Sequence, residues 1–79
     1  MWSIPYYNKA DLKLRASELW KKANFIGYFT TTPGKSIGLY SLDKFYVELY
    51  FDGIEDQIKD LRAITIDEAL EKYLNQVDV

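Results

Sequence analysis

Apolar residues recur first at helical spacing, then at alternate positions, then at helical spacing again. Within residues 9–23, Leu12, Ala16, Leu19, Trp20 and Ala23 fall at i, i+4, i+7, i+8 and i+11, which makes one apolar stripe. Lys9, Lys13, Ser17 and Lys21 take the opposite side. Asn8 is placed to cap this helix, with Asp11 near its positive end. Ahead of it, residues 1–7 (MWSIPYY) read as an extended lead-in packed by Trp2 and Tyr7.

The period then shortens to two. Residues 25–31 (FIGYFTT), 36–41 (SIGLYS) and 45–51 (FYVELYF) predict three strands. Thr32-Pro33-Gly34-Lys35 is a turn signal, because proline presets φ and glycine accepts positive φ; Asp52-Gly53 ends the third strand in the same way. Residues 57–64 (QIKDLRAI) fit either a fourth, edge strand or an irregular connection. The strand is preferred, because Thr65 and Glu68 then form a capping box for a last helix. That helix has Ile66, Ala69, Leu70, Tyr73, Leu74 and Val77 as its stripe. The expected order is α-β-β-β-(β)-α. It describes one α+β domain over residues 1–79, an antiparallel three- to four-stranded meander with helices covering one face.

Side-chain alternation also suggests a register. If Leu42, Asp43 and Lys44 form the loop between the second and third strands, Ile37 faces Leu49, Leu39 faces Val47 and Ser41 faces Phe45. Tyr40 then faces Tyr46 on the other side. A two-residue loop pairing Ile37 with Glu48 would mix apolar and polar faces, so the odd loop is expected. The same alternation puts Phe25, Gly27 and Phe29 on the core face. The run Leu39-Tyr40-Ser41-Leu42-Asp43-Lys44-Phe45-Tyr46-Val47-Glu48-Leu49-Tyr50-Phe51 resembles a pattern in short uncharacterised bacterial α+β proteins. So does the ending Leu70-Glu71-Lys72-Tyr73-Leu74-Asn75-Gln76-Val77-Asp78. The likeness covers roughly the last half to two-thirds of the chain and implies the fold but no activity.

Composition narrows the chemistry. The 79 residues suffice for one core. There is no cysteine, which excludes disulfides and thiolate metal sites and points to the cytoplasm. The start lacks the basic, apolar, small-residue order of a leader, and no apolar run approaches the roughly 20 residues of a membrane span. Histidine is absent too, so no His-containing triad can form within the chain and the usual transition-metal ligands are missing. No catalytic, cofactor-binding or metal-binding residues are assigned, and no enzyme is expected.

Four signals remain to be weighed. Gly34-Lys35-Ser36 imitates the end of a phosphate loop, but Phe29 stands where the first glycine belongs and a strand follows instead of a helix. Asp52, Glu55, Asp56 and Asp60 lack the spacing of a calcium loop and read as a solvated acidic turn. The charge is uneven: residues 1–40 hold six Lys/Arg against Asp11 and Glu18, and residues 41–79 hold four basic against ten acidic residues. Such polarity either cancels within the fold, the preferred reading, or steers a charged partner or pairs two copies. Lastly, the expected second sheet face gathers Ile26, Tyr28, Tyr40, Tyr46, Glu48 and Tyr50, a surface rich in tyrosine that suits an interface. The candidate interface is therefore Tyr28, Tyr40, Tyr46, Glu48 and Tyr50.

The resulting expectation is a small non-catalytic interaction module, whose partner is another protein or a second copy docking on the tyrosine face or a sheet edge. One alternative is nucleic-acid binding by the helix lysines and strand aromatics, against which stand a pI near 5.0 and strands poor in basic residues. The other is a minimal enzyme or small-ligand pocket built on Glu48 beside Tyr40 or Tyr46.

Overall fold

The structure is a computed structural model that describes residues 2–73. In chain order it runs α1 (Ile4–Lys9), α2 (Leu12–Lys22), β1 (Asn24–Thr32), β2 (Lys35–Leu42), β3 (Phe45–Asp52), β4 (Gln57–Ile64) and α3 (Ile66–Lys72). The strands make one antiparallel sheet in the order β1-β2-β3-β4. The expected α+β meander is present, and residues 57–64 are its fourth strand. Thr65 caps α3 as its position implies, its hydroxyl accepting from the Glu68 N–H at 3.0 Å. Leu74 and Val77, assigned above to the last apolar stripe, lie outside the described residues, as does the 74–78 part of the terminal run.

The turns set the register. Thr32 pairs with Lys35 across Pro33-Gly34, and Gly34 has φ +81°, the conformation a proline–glycine type II turn demands. Between β2 and β3, Leu42 pairs with Phe45, so the connection is the two residues Asp43-Lys44 and not the three expected. Asp43 supplies the left-handed conformation at φ 52°, which aspartate tolerates better than most residues. Ile37 consequently lies opposite Tyr50, Leu39 opposite Glu48 and Ser41 opposite Tyr46, while Tyr40 lies opposite Val47. A shift of one residue exchanges faces. The predicted Tyr40–Tyr46 pair is therefore replaced by two residues on opposite sides of the sheet.

Both faces of the sheet are covered, which corrects the expectation of helices on one face only. On one side Tyr7 of α1 and Leu19 of α2 pack on Leu42, Phe45, Val47, Leu49, Leu61 and Ala63. On the other, Ala69 of α3 and Tyr73 pack on Ile37, Leu39 and Ile64. α1 arises where an extended lead-in was expected, because Pro5 sits in its first turn, where its missing N–H costs nothing. Six residues do not hold a helix by themselves. Burial of Tyr7, whose hydroxyl donates to the Arg15 carbonyl at 2.8 Å, anchors it to α2. Burial also raises the Tyr7 pKa to about 12.

A bulge in β1 redirects its side chains. Phe25 pairs with Tyr40 but Gly27 with Leu39, leaving Ile26 without a partner. Phe25 thus turns toward the α1/α2 side, whereas Phe29 joins Tyr73 on the α3 side at a ring separation of 4.8 Å. The expected common face of Phe25, Gly27 and Phe29 is split for this reason.

At the far end of the sheet the two outer turns touch. The Gly53 N–H donates to the Gly34 carbonyl at 2.6 Å, and a Cβ on Gly34 would come within 2.7 Å of the Ile54 side chain. Gly34→Ala meets both a forbidden φ and this contact, so a loss of about 1–3 kcal/mol is expected in urea unfolding. Adding Ile54→Ala should return only the steric part of that loss.

Candidate functional site

Glu48 is the most unusual polar group in the fold. It sits mid-strand in β3, facing α3, and is fully buried. Three donors converge on its carboxylate. The Tyr50 hydroxyl donates to Oε1 at 2.8 Å, Lys72 Nζ donates to Oε2 at 2.6 Å, and the Tyr73 hydroxyl also donates to Oε2. Lys72 also lies 5.5 Å from the centre of the Tyr73 ring. Burial pulls the Glu48 pKa up, but hydrogen bonds from Lys72, Tyr73 and Tyr50 outweigh it and hold the carboxyl below its usual range. Burial, followed by the bond to Glu48, pushes Tyr50 up to about 12 and raises Tyr73 as well.

This cluster fastens α3 to the sheet. A carboxylate saturated by donors and closed to solvent is a poor proton carrier, because its proton-accepting lone pairs are already in use. Nor does Glu48 line the surface depressions of about 190 and 130 Å³ among the described residues. The pairing expected with Tyr40 or Tyr46 is replaced by Tyr50 and Tyr73.

The five residues expected to share one face divide between two. Tyr46, Glu48 and Tyr50 lie on the α3 side, with both tyrosines half-buried against its core. Tyr40 lies on the α1/α2 side, half-buried, with Phe25 at 5.4 Å and Trp20 at 6.0 Å in edge-on contact. Tyr28 is the open one, 64% exposed beside the larger depression that Lys35 and Phe51 also line. Trp20 and Phe25, assigned by pattern to the core, are 57% and 58% exposed. Trp20 of α2, Phe25 and Tyr40 thus form an aromatic cluster over β1 and β2, and Tyr28 is exposed on the same face. The isolated Gly27 was the signal for it, since a lone glycine inside a strand often marks a bulge.

The two edges of the sheet are treated very differently. Along β4, Asn8 of α1 uses its side-chain amide as a substitute strand: Nδ2 donates to the Ala63 carbonyl at 3.1 Å, and Oδ1 accepts from the Ala63 N–H at 2.7 Å. Asn8 does not take the expected role of capping the following helix; Asp11 stands at its N-cap position and makes no side-chain capping bond. Arg15 donates to the Leu61 carbonyl next along the strand and pairs with Asp60 at 3.4 Å. β4 also carries Lys59, Asp60 and Arg62. Among the described residues β1 has no such side-chain seal, although the bulge at Ile26 and an irregularity between Thr30 and Thr32 interrupt its edge. Its nine residues, NFIGYFTTT, contain no charge, and most are exposed. An uncharged, exposed edge of this kind can receive another strand along its regular part, residues 27–30.

The remaining charged groups are occupied locally. Asp52 accepts from the N–H groups of Ile54 at 2.9 Å and Glu55 at 3.2 Å, which holds its carboxyl below the usual range. Glu55 pairs with Lys59 at 2.6 Å. Gly34-Lys35-Ser36 is a hairpin turn running into β2. Among the described residues no three carboxylates gather to hold a metal ion, and no helix is long and apolar enough to cross a membrane. No protein family, curated protein or solved structure proved significantly similar to this chain.

Two outcomes are expected for the polar clusters. Glu48→Gln removes the charge that Lys72, Tyr50 and Tyr73 converge on, at a cost of about 1–3 kcal/mol in urea unfolding, because Lys72 is 39% exposed and can return to water. Because the folded pKa of Glu48 is lowered, its contribution is complete above the unfolded value and lost as pH falls through the folded one. The acid limb of a stability–pH profile should therefore flatten in Glu48→Gln. Tyr50 is raised, so its share is complete below about pH 10 and lost as pH rises toward about 12. Separately, Asn8→Leu leaves both Ala63 backbone groups unpaired and should cost about 1–3 kcal/mol, with faster hydrogen exchange at the Ala63 amide.

Proposed function

We propose that this chain is a non-catalytic interaction module that receives an extended protein segment along the open β1 edge. The contrast between the two edges carries the reading: β4 is stopped by Asn8 and Arg15, while β1 is long, uncharged and exposed. Strand addition draws affinity from backbone hydrogen bonds and selectivity from side chains on alternate positions. The aromatic strip of Trp20, Phe25 and Tyr28 lies beside that edge, where aromatic side chains contribute large area at low entropic cost. A catalytic role finds no support in the geometry, since the buried Glu48 is closed off beneath α3. The lack of cysteine suits a reducing cytoplasm.

Peptide selection against the pure protein tests this proposal. Selected peptides should alternate aromatic or β-branched residues with polar ones, and their NMR shift changes should centre on residues 24–32. Thr30→Pro, which bars a strand ladder, should abolish binding if the chain stays folded by circular dichroism. Peptides that map to α3 or β4 contradict the proposal. So does an RNA oligonucleotide that shifts Trp20, Phe25 and Tyr28 with steep salt dependence, since that would assign the aromatic strip to nucleic acid.

A further inference from the structure

We infer that the larger surface depression binds one uncharged sugar ring. The site does not depend on what pairs with β1. It lies on the α1/α2 side of the sheet, and no residue of either helix lines it. Register builds it. Thr30 lies opposite Ser36, Ser36 lies opposite Phe51, and Tyr28 stands two residues before Thr30. Directly opposed residues, and residues two apart on one strand, share a face. Tyr28 and Phe51 therefore flank a row of two hydroxyls, on strands whose backbones stand about 10 Å apart. Gly53 leaves the edge of the Phe51 ring bare, where a Cβ would come within 3.7 Å. The depression holds about 190 Å³. That is below the roughly 300 Å³ at which drug-sized pockets begin, so it takes a single ring.

Ser36 marks the floor. It is only 8% exposed, and its hydroxyl makes no hydrogen bond among the described residues. Its oxygen is not sealed off; it opens into the depression that Ser36 lines. A polar group this deep normally has a partner. Water can supply one, and so can a ligand hydroxyl that displaces the water and repeats its hydrogen bonds.

The surroundings select the charge of the ligand. Lys35 borders the depression, but strand alternation turns its side chain to the opposite face from Ser36. There its charge helps to hold the Asp52 carboxyl low. The Gly53 N–H is already donated to the Gly34 carbonyl, and the acidic Glu55 and Asp56 follow in the same turn. Nothing converges on an anion. The Asp52 carboxylate is taken up by the Ile54 and Glu55 N–H groups. A quaternary ammonium, which aromatic sites also take, would leave the Ser36 hydroxyl unused. The hydroxyls of Ser36, Thr30 and Tyr28 each donate and accept, which matches a ligand whose own groups do both. The rings of Tyr28 and Phe51 match one with an apolar face. A sugar ring has hydroxyls around its rim and C–H groups on its faces. Its outer side can stay in water, where the depression is open.

Titration of the whole chain with glucose, galactose and N-acetylglucosamine, followed by amide NMR shifts, tests the assignment. At least one sugar should shift Tyr28, Thr30, Ser36, Phe51 and Gly53, with a Kd of about 1–10 mM as expected for so small a ligand. Ser36→Ala removes a hydroxyl that has no protein partner to lose, so the chain should stay folded while that sugar binds about 3–10-fold more weakly. Tyr28→Ala, at a side chain already largely exposed, should weaken it by about 3–10-fold as well. p-Cresol and choline serve as counter-probes. If either shifts these amides and no sugar does, the depression takes an aromatic or a cationic ligand and the inference is overturned. Sugars that leave these amides unmoved at about 100 mM overturn it too. So does a sugar whose affinity Ser36→Ala leaves unchanged, because the floor hydroxyl would then have no part in binding.

Discussion

The pairing of Leu42 with Phe45 across Asp43-Lys44 decides the character of every position on β2 and β3. With Leu42 and Phe45 opposed, Val47, Leu49 and Tyr40 share a face with α1 and α2, and Leu39, Glu48 and Tyr50 share the other with α3. Side chains alternate strictly along a strand, so no residue can be reassigned without moving the whole strand. A carboxylate is thereby committed to the interior of the α3 side. Left alone, it would cost more than a small domain can offset. The fold answers with Tyr50 from the same strand, and with Lys72 and Tyr73 from the C-terminal end of the described chain. α3 is short, yet it is held where it is because Glu48 needs its donors there.

The same economy governs the edges. α1 is too short to persist alone, and its Asn8 is what closes β4. Tyr7 and Asn8 are neighbours on that helix. One fills the core between α2 and the sheet, and the other completes the hydrogen bonding of Ala63. The helix thus gains its stability from the core and spends its polar side on the sheet edge. Among the described residues no element of comparable use lies beside β1, where α2 passes over the neighbouring β2 and leaves Trp20, Phe25 and Tyr28 facing outward.

Much of the architecture was legible in the chain. Alternation located the strands, the Pro-Gly pair located the first turn, and Thr65 with Glu68 marked the start of α3. Register was not legible, because Asp-Lys is not one of the dipeptides that announce a tight hairpin, and the left-handed Asp43 is a choice among allowed conformations. Apolar alternation misled there: pairing Leu39 with Val47 looks better on paper than pairing it with Glu48. What reverses the preference is a hydrogen-bond network assembled from residues 24 and 25 positions apart in sequence, to which no local pattern points. The split of the tyrosines follows from that one register. Trp20 and Phe25 were misplaced for a different reason, since periodicity reports a helix or strand face but not how far the neighbouring layer extends over it.

The Asn8 amide on Ala63 also bears on how far such sheets can grow. Aggregation by strand addition needs an acceptor edge on each unit and a donor edge to follow it. In this chain the Leu61–Ala63 part of the β4 edge is closed from within by Arg15 and Asn8. Closing part of one edge shortens the ladder that an incoming strand could form there. Asn8 thus opposes strand addition at the Ala63 end of β4, on the edge opposite the exposed β1.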